Sequence, residues 1–198
     1  MRFRPALLVA LLVLAVPAGA RQEPSRADAE RMNKKLQAIM ARATAPLAPA
    51  KPVTTSFTEA ELNAYLRLDP TAELPVGLKA PTIVFLDGGK VDSKALVDLD
   101  LIRTSEKRGW LDPLAYVSGI LEVRTIGNFR GANGKGVYVY ESATVGGVPV
   151  PKTVLQELLA YYTRTPETPK GIPLDAPFEL PARIREVELR RGLATVIQ

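Results

Sequence analysis

Between Val53 and Ile102 the hydrophobic period changes from helical to extended, and that change excludes both an all-helical and an all-β chain. Thr58 precedes Glu61 by three residues in Ser56-Phe57-Thr58-Glu59-Ala60-Glu61-Leu62, the spacing of a capping box. The Thr58 hydroxyl can accept from the Glu61 N–H, and the Glu61 carboxylate can reach back to the Thr58 N–H. Phe57, just outside the cap, is placed to pack on Leu62 as a hydrophobic staple. Leu62, Tyr65 and Leu66 recur on one helical face, and Asp69-Pro70 stops the helix. The run Thr82-Ile83-Val84-Phe85-Leu86 then enters a turn signal, Asp87-Gly88-Gly89-Lys90. After it Val91, Ser93, Ala95, Val97, Leu99 and Leu101 alternate with more polar residues, which predicts one strand reaching Ile102.

The chain begins with a pattern of a different kind. Arg2 and Arg4 precede the apolar run Ala6 to Val16, and Pro17 with Ala18-Gly19-Ala20 follows, an A-x-A cleavage signature. The run falls short of the about 20 apolar residues that span a bilayer. Residues 1–20 are expected to be a signal peptide, so that the mature protein starts at Arg21 and is periplasmic or secreted. The Lys and Arg total of 26 against 21 Asp and Glu is only mildly basic, and two of those positive charges leave with the leader. Spread charge of this size allows peripheral contact with an anionic membrane but gives no footprint for nucleic acid. Cys and His are both absent. Disulfides, a lipid-modified Cys, His-based triads and most transition-metal sites go with them. A carboxylate site for Ca²⁺ or Mg²⁺ survives on chemistry alone, and no cofactor is expected.

Residues 21–52 read as an N-terminal amphipathic helix and a linker. Ser25-Arg26-Ala27-Asp28 offers a cap, Met32, Leu36, Ile39, Met40 and Ala43 share a face, and Arg31, Lys34, Lys35 and Arg42 surround it. Such a helix either lies on a membrane or packs on its own domain, and the narrow stripe without aromatics favours packing. Thr44 to Val53 is a stiff Ala/Pro-rich connection. In 53–198, Gly119, Leu121, Val123 and Thr125 alternate with Ile120, Glu122, Arg124 and Ile126. The chain turns through Gly131 to Gly136 and returns through Val137 to Tyr140. A second amphipathic helix is predicted from Pro151, with Val154, Leu155, Leu158, Leu159 and Tyr162 as its stripe, and Ile184 to Ile197 forms a last hairpin around Arg190-Arg191-Gly192. The fold class is α+β: an antiparallel sheet, two core helices and an extra N-terminal helix. Ile83 to Leu86 are apolar on both faces of their strand, more apolar surface than two short helices cover. Curling of the sheet, a protein partner or an apolar ligand must take the remainder.

Asp98 and Asp100, with Asp92 on the same expected strand face, suggest either acid–base chemistry or Ca²⁺; a solvated face opposite Val97, Leu99 and Leu101 explains them as well. The Gly-Lys pair inside Gly131 to Gly136 lacks the Ser or Thr of a phosphate loop and is flanked by strands, so it is a hairpin turn. Tyr138 and Tyr140 share a face, to stack on sugars or to cover a sheet edge with wet hydroxyls. Trp110, Leu111, Leu114 and Tyr116 form an apolar loop, either a core plug or the rim of an apolar site.

The order Phe57-Thr58-Glu59-Ala60-Glu61-Leu62-Asn63-Ala64-Tyr65-Leu66, then Asp87-Gly88-Gly89-Lys90-Val91, then Val148-Pro149-Val150-Pro151, then Pro177-Phe178-Glu179-Leu180-Pro181, resembles bacterial envelope proteins of the YceB and LmeA type. These are similar to the tubular lipid-binding superfamily of BPI-like and SMP-domain proteins. The resemblance spans about Val53 to Gln198 and implies a strongly curved antiparallel sheet wrapped on helices around an acyl-chain cavity. Unlike the YceB pattern, the chain has no anchor Cys. The expectation is a non-catalytic, exported protein that binds a lipid or other apolar small molecule and carries it across the envelope. Ile83, Phe85, Val97, Leu99, Leu101, Trp110, Leu121, Val123, Leu155, Leu158, Leu159 and Tyr162 are its expected contacts. The alternative is an envelope interaction module whose sheet is closed by a protein partner.

Overall fold

The computed structural model describes residues 24–46, 51–101, 118–162, 169–171 and 173–198, with the backbone alone at 158, 159, 161 and 162. The expected leader, Trp110 and its loop, and the side chains of Leu158, Leu159 and Tyr162 lie outside the described residues. In chain order the elements are α1 (Arg26–Thr44), β1 (Thr54–Thr58), α2 (Glu59–Leu68), β2 (Leu78–Phe85), β3 (Lys90–Asp98), β4 (Ile120–Ala132), β5 (Lys135–Val145), β6 (Val148–Pro149), α3 (Lys152–Tyr162), β7 (Phe178–Glu179), β8 (Glu186–Arg190) and β9 (Leu193–Ile197). The fold is α+β, with a curved, open antiparallel sheet.

Both expected caps form. Ser25 Oγ accepts from the Asp28 N–H at the start of α1. At α2, Thr58 Oγ1 accepts from the Glu61 N–H at 3.2 Å while Glu61 Oε2 accepts from the Thr58 N–H at 2.8 Å. Phe57 and Leu62, on either side of that cap, pack on one cluster. The hairpin turn between β4 and β5 narrows to Asn133-Gly134, both with positive φ (53° and 76°). Asn-Gly suits this two-residue turn because Asn tolerates the left-handed region and Gly has no Cβ to clash.

β4 organises the sheet. One edge pairs with β5 from Val123 to Ala132. The other pairs with β3 from Ile120 to Asn128, and then with β8 at Gly131. Two wings therefore grow from the same edge: β3 and β2 along most of β4, and β8, β9 and β1 beyond them. Gly131 permits the second junction, since a Cβ there would sit 2.9 Å from Val187 Cβ. The wings converge on a core of Phe85, Val91 and Ala194, joined by Phe57, Ile83, Phe129 and Leu189. Phe57 and Phe85 meet edge-on at 6.4 Å, a favourable ring geometry.

α1 docks on α2. Ala29, Met32 and Ile39 are buried, as is Ala64 of α2. Glu61, 5% exposed, takes Lys35 Nζ at 2.7 and 2.8 Å, while Gln198 donates to the carbonyls of Ile39 and Ala182. Most of the apolar stripe of α1 thus faces protein, although Met40 stays exposed.

Candidate functional site

α2 is held against the free edge of β2. Asn63 Nδ2 donates to the Ile83 carbonyl and Asn63 Oδ1 accepts from the Ile83 N–H, both at 2.7 Å. Glu59 Oε2 accepts from the Phe85 N–H at 2.8 Å. The spacings match: four residues of helix rise about 6 Å, and two residues of strand rise about 6.7 Å. Two side chains one helical turn apart therefore reach two successive outward-facing groups of the edge strand. This positions α2 over the inner face of the sheet.

An apolar groove of about 370 Å³ opens there. α2 contributes Leu66 and the following connection Leu74. β2 contributes Leu78, Pro81, Thr82 and Ile83; β3 Ser93, Lys94, Ala95 and Val97; β4 Val123 and Thr125. Strict alternation would send Leu78 and Ile83 to opposite faces. They share the groove because β2 carries one extra residue between Lys79 and Thr82, with Ala80 at φ 46°. That bulge reverses the parity of the strand. Pro81 was its sequence signal, since proline inside a strand marks an edge or a bulge.

The expected contacts separate. Ile83, Val97 and Val123 line the groove. Phe85 is buried in the adjoining core, 5% exposed. Leu121 is half-buried on β4 opposite Val97, and Leu155 is half-buried on α3. Leu99 and Leu101 correct the expected strand. β3 ends at Asp98, and residues 99–101 are helical. Asp98 Oδ1 accepts from the Leu101 N–H at 3.1 Å, the bond of an N-cap residue. Leu99 is buried beyond the end of the strand, while Leu101 is 44% exposed. The competing signal was Asp98 itself, a favoured cap residue inside what looked like alternation.

The acidic candidates are structural. Asp92 holds Arg124 at 2.9 and 2.6 Å. Lys79 donates to Asp98 at 2.8 Å, and Asp100 accepts from the Gly119 N–H at 3.0 Å. The Lys79 bond and the Leu101 N–H hold the Asp98 carboxyl below its ordinary range, the opposite of what a general acid needs. Ion pairs Lys94–Glu122 and Lys90–Glu141 continue along the outer face of the sheet. Among the described residues no cluster of three or more carboxylates could hold a metal ion.

The tyrosines are not wet, as the sequence suggested. Tyr140 donates to the Val150 carbonyl at 3.0 Å. Tyr138 crosses Gly127, where an added Cβ would lie 2.7 Å from its hydroxyl. That hydroxyl is buried and makes no hydrogen bond of good geometry, with the Thr125 side chain as the polar group beside it. Burial pushes the phenol above its usual value, with the nearby Thr125 side chain acting in the other direction. Sequence reasoning missed Leu74 and Leu78, which sit in an aperiodic connection and ahead of the expected strand.

Among the described residues no helix is long and apolar enough to cross a membrane. Compared with protein-family models, curated proteins and solved structures, the chain matches none. The geometry therefore carries the functional reading.

Proposed function

We propose that this is an exported protein that binds a lipid or another apolar small molecule and carries it within the cell envelope. The observation that supports this most is the groove between α2 and the inner face of β2, β3 and β4, apolar in most of its lining and about 370 Å³ in volume. That volume is at the low end of the about 300–1,000 Å³ of small-molecule sites. The leader-like N-terminus and the resemblance to envelope lipid binders point the same way. The test is mass spectrometry of organic extracts of the purified protein, with uptake of a neutral naphthylamine probe. Co-purified lipid and probe fluorescence are expected; neither being found overturns the reading.

A second reading has its own observation. Leu96, Ile120 and Leu101 are 38%, 53% and 44% exposed near one end of the β3–β4 pair. A protein partner covering them would make the chain an interaction module. A stable hetero-complex without extractable lipid favours that reading.

A further inference from the structure

The groove has two unlike ends. At one, Leu78 faces Val97 across β2 and β3, below Leu66 and Leu74, and every one of these is apolar. At the other, Ser93 pairs with Thr125 across β3 and β4, so two hydroxyls stand together at this end of the groove. One step further along β4, Gly127 leaves room for the Tyr138 ring. Its hydroxyl is buried beside the Thr125 side chain, outside the groove lining. Lys94 borders the groove, but its side chain turns to the outer face of the sheet, where it pairs with Glu122 at 2.6 Å.

Resting on the reading above, we propose that the groove binds a single-chain lipid with an uncharged, oxygen-bearing head. The acyl chain runs along Val97 and Leu78 towards Leu66. The head oxygen meets the hydroxyls of Ser93 and Thr125. Hydroxyls donate and accept, so they satisfy an ester, alcohol or glycerol oxygen. A carboxylate would bring a charge into apolar surroundings where the nearest cation is taken, which is unfavourable. The volume suits one chain and not two.

The test is displacement of a neutral naphthylamine probe from the delipidated full chain. The competitors are a monoacylglycerol, a fatty acid of the same chain length at mildly alkaline pH, and the parent alkane. The monoacylglycerol is expected to compete best. Ser93→Ala removes one hydroxyl and should reduce the preference for monoacylglycerol over alkane by about three- to tenfold, the worth of one neutral hydrogen bond. Thr125→Val should reduce the same preference while alkane competition persists. If the wild type takes up the probe but prefers the fatty acid, or if Ser93→Ala and Thr125→Val both leave the preference intact, the proposal falls and the groove remains an apolar site. If the wild type takes up no probe, both readings fall.

Discussion

Glu61 closes the capping box of α2 and also receives Lys35 of α1, with Arg31 at 3.4 Å. Burial pushes its carboxyl up, but the bonds from Lys35, the Thr58 N–H and Arg31 outweigh that, and the group ends below its ordinary value. A lowered carboxyl stabilises the fold at any pH above the unfolded value, and that contribution disappears as pH falls through the folded value. Glu61→Gln should therefore cost about 2 kcal/mol near neutrality, the scale of charge-assisted hydrogen bonds. The gap to wild type should close as pH falls below the ordinary glutamate range, through the lowered folded-state value. Urea unfolding across that range measures it, and a gap independent of pH would show that Glu61 acts only through its shape. Thr58→Ala removes the other half of the cap and should cost about 1 kcal/mol at every pH where Glu61 stays ionised. Unchanged unfolding would mean the cap contributes nothing.

α2 and β2 form one unit, because α2 completes an edge that would otherwise be open. Asn63 substitutes for a neighbouring strand at Ile83, and Glu59 does so at Phe85. Open edges template pairing with other chains. Asn63→Leu keeps the helix and its bulk but leaves both Ile83 groups without partners. It should cost about 2 kcal/mol, roughly one for each bond, and promote self-association seen by sedimentation. A variant that is destabilised yet strictly monomeric would separate edge protection from simple stability. At β5, Asp175 accepts from the Tyr140 N–H at 3.1 Å and contacts Lys152 at the start of α3. Two edges of one sheet are thus blunted by carboxylate or amide side chains from outside it.

Across the whole molecule, α2 is pinned to β2 at Asn63 and Glu59, while Leu66 further along α2 and Leu74 in the following connection line the groove. Val123→Trp should test whether that space is empty. In a filled core an indole in place of valine would cost about 1–3 kcal/mol through overpacking. In an open groove, unfolding should stay within about 0.5 kcal/mol of wild type, while uptake of the naphthylamine probe drops at least several-fold. A large loss of stability would mean that the groove is a packing defect and not a ligand space.

Local signals were legible from residues close together in the chain. Thr58 with Glu61, Ser25 with Asp28, and Asn133-Gly134 act over a few residues, so the same groups meet whatever the rest of the chain does. Alternation identified the inner face of β3, with Val91, Ser93, Ala95 and Val97 in order, because a period of two has no dependence on partners. Past Asp98 the same pattern misled, since an aspartate that caps a helix and one that ends an alternating strand are the same letter. Leu78 joined Ile83 only through the bulge at Ala80, and Tyr138 lost its water only because Gly127 lets its ring cross β4. Both depend on which strand lies beside which, with partners 19 residues apart at Leu78–Val97, 10 at Ile83–Ser93 and nine at Phe129–Tyr138. The sequence by itself determined the caps, the turn and the apolar faces, all set by neighbours along the backbone. The groove, its Ser93–Thr125 pair and the buried Tyr138 hydroxyl arose from strand register and helix docking, which only the folded chain decides.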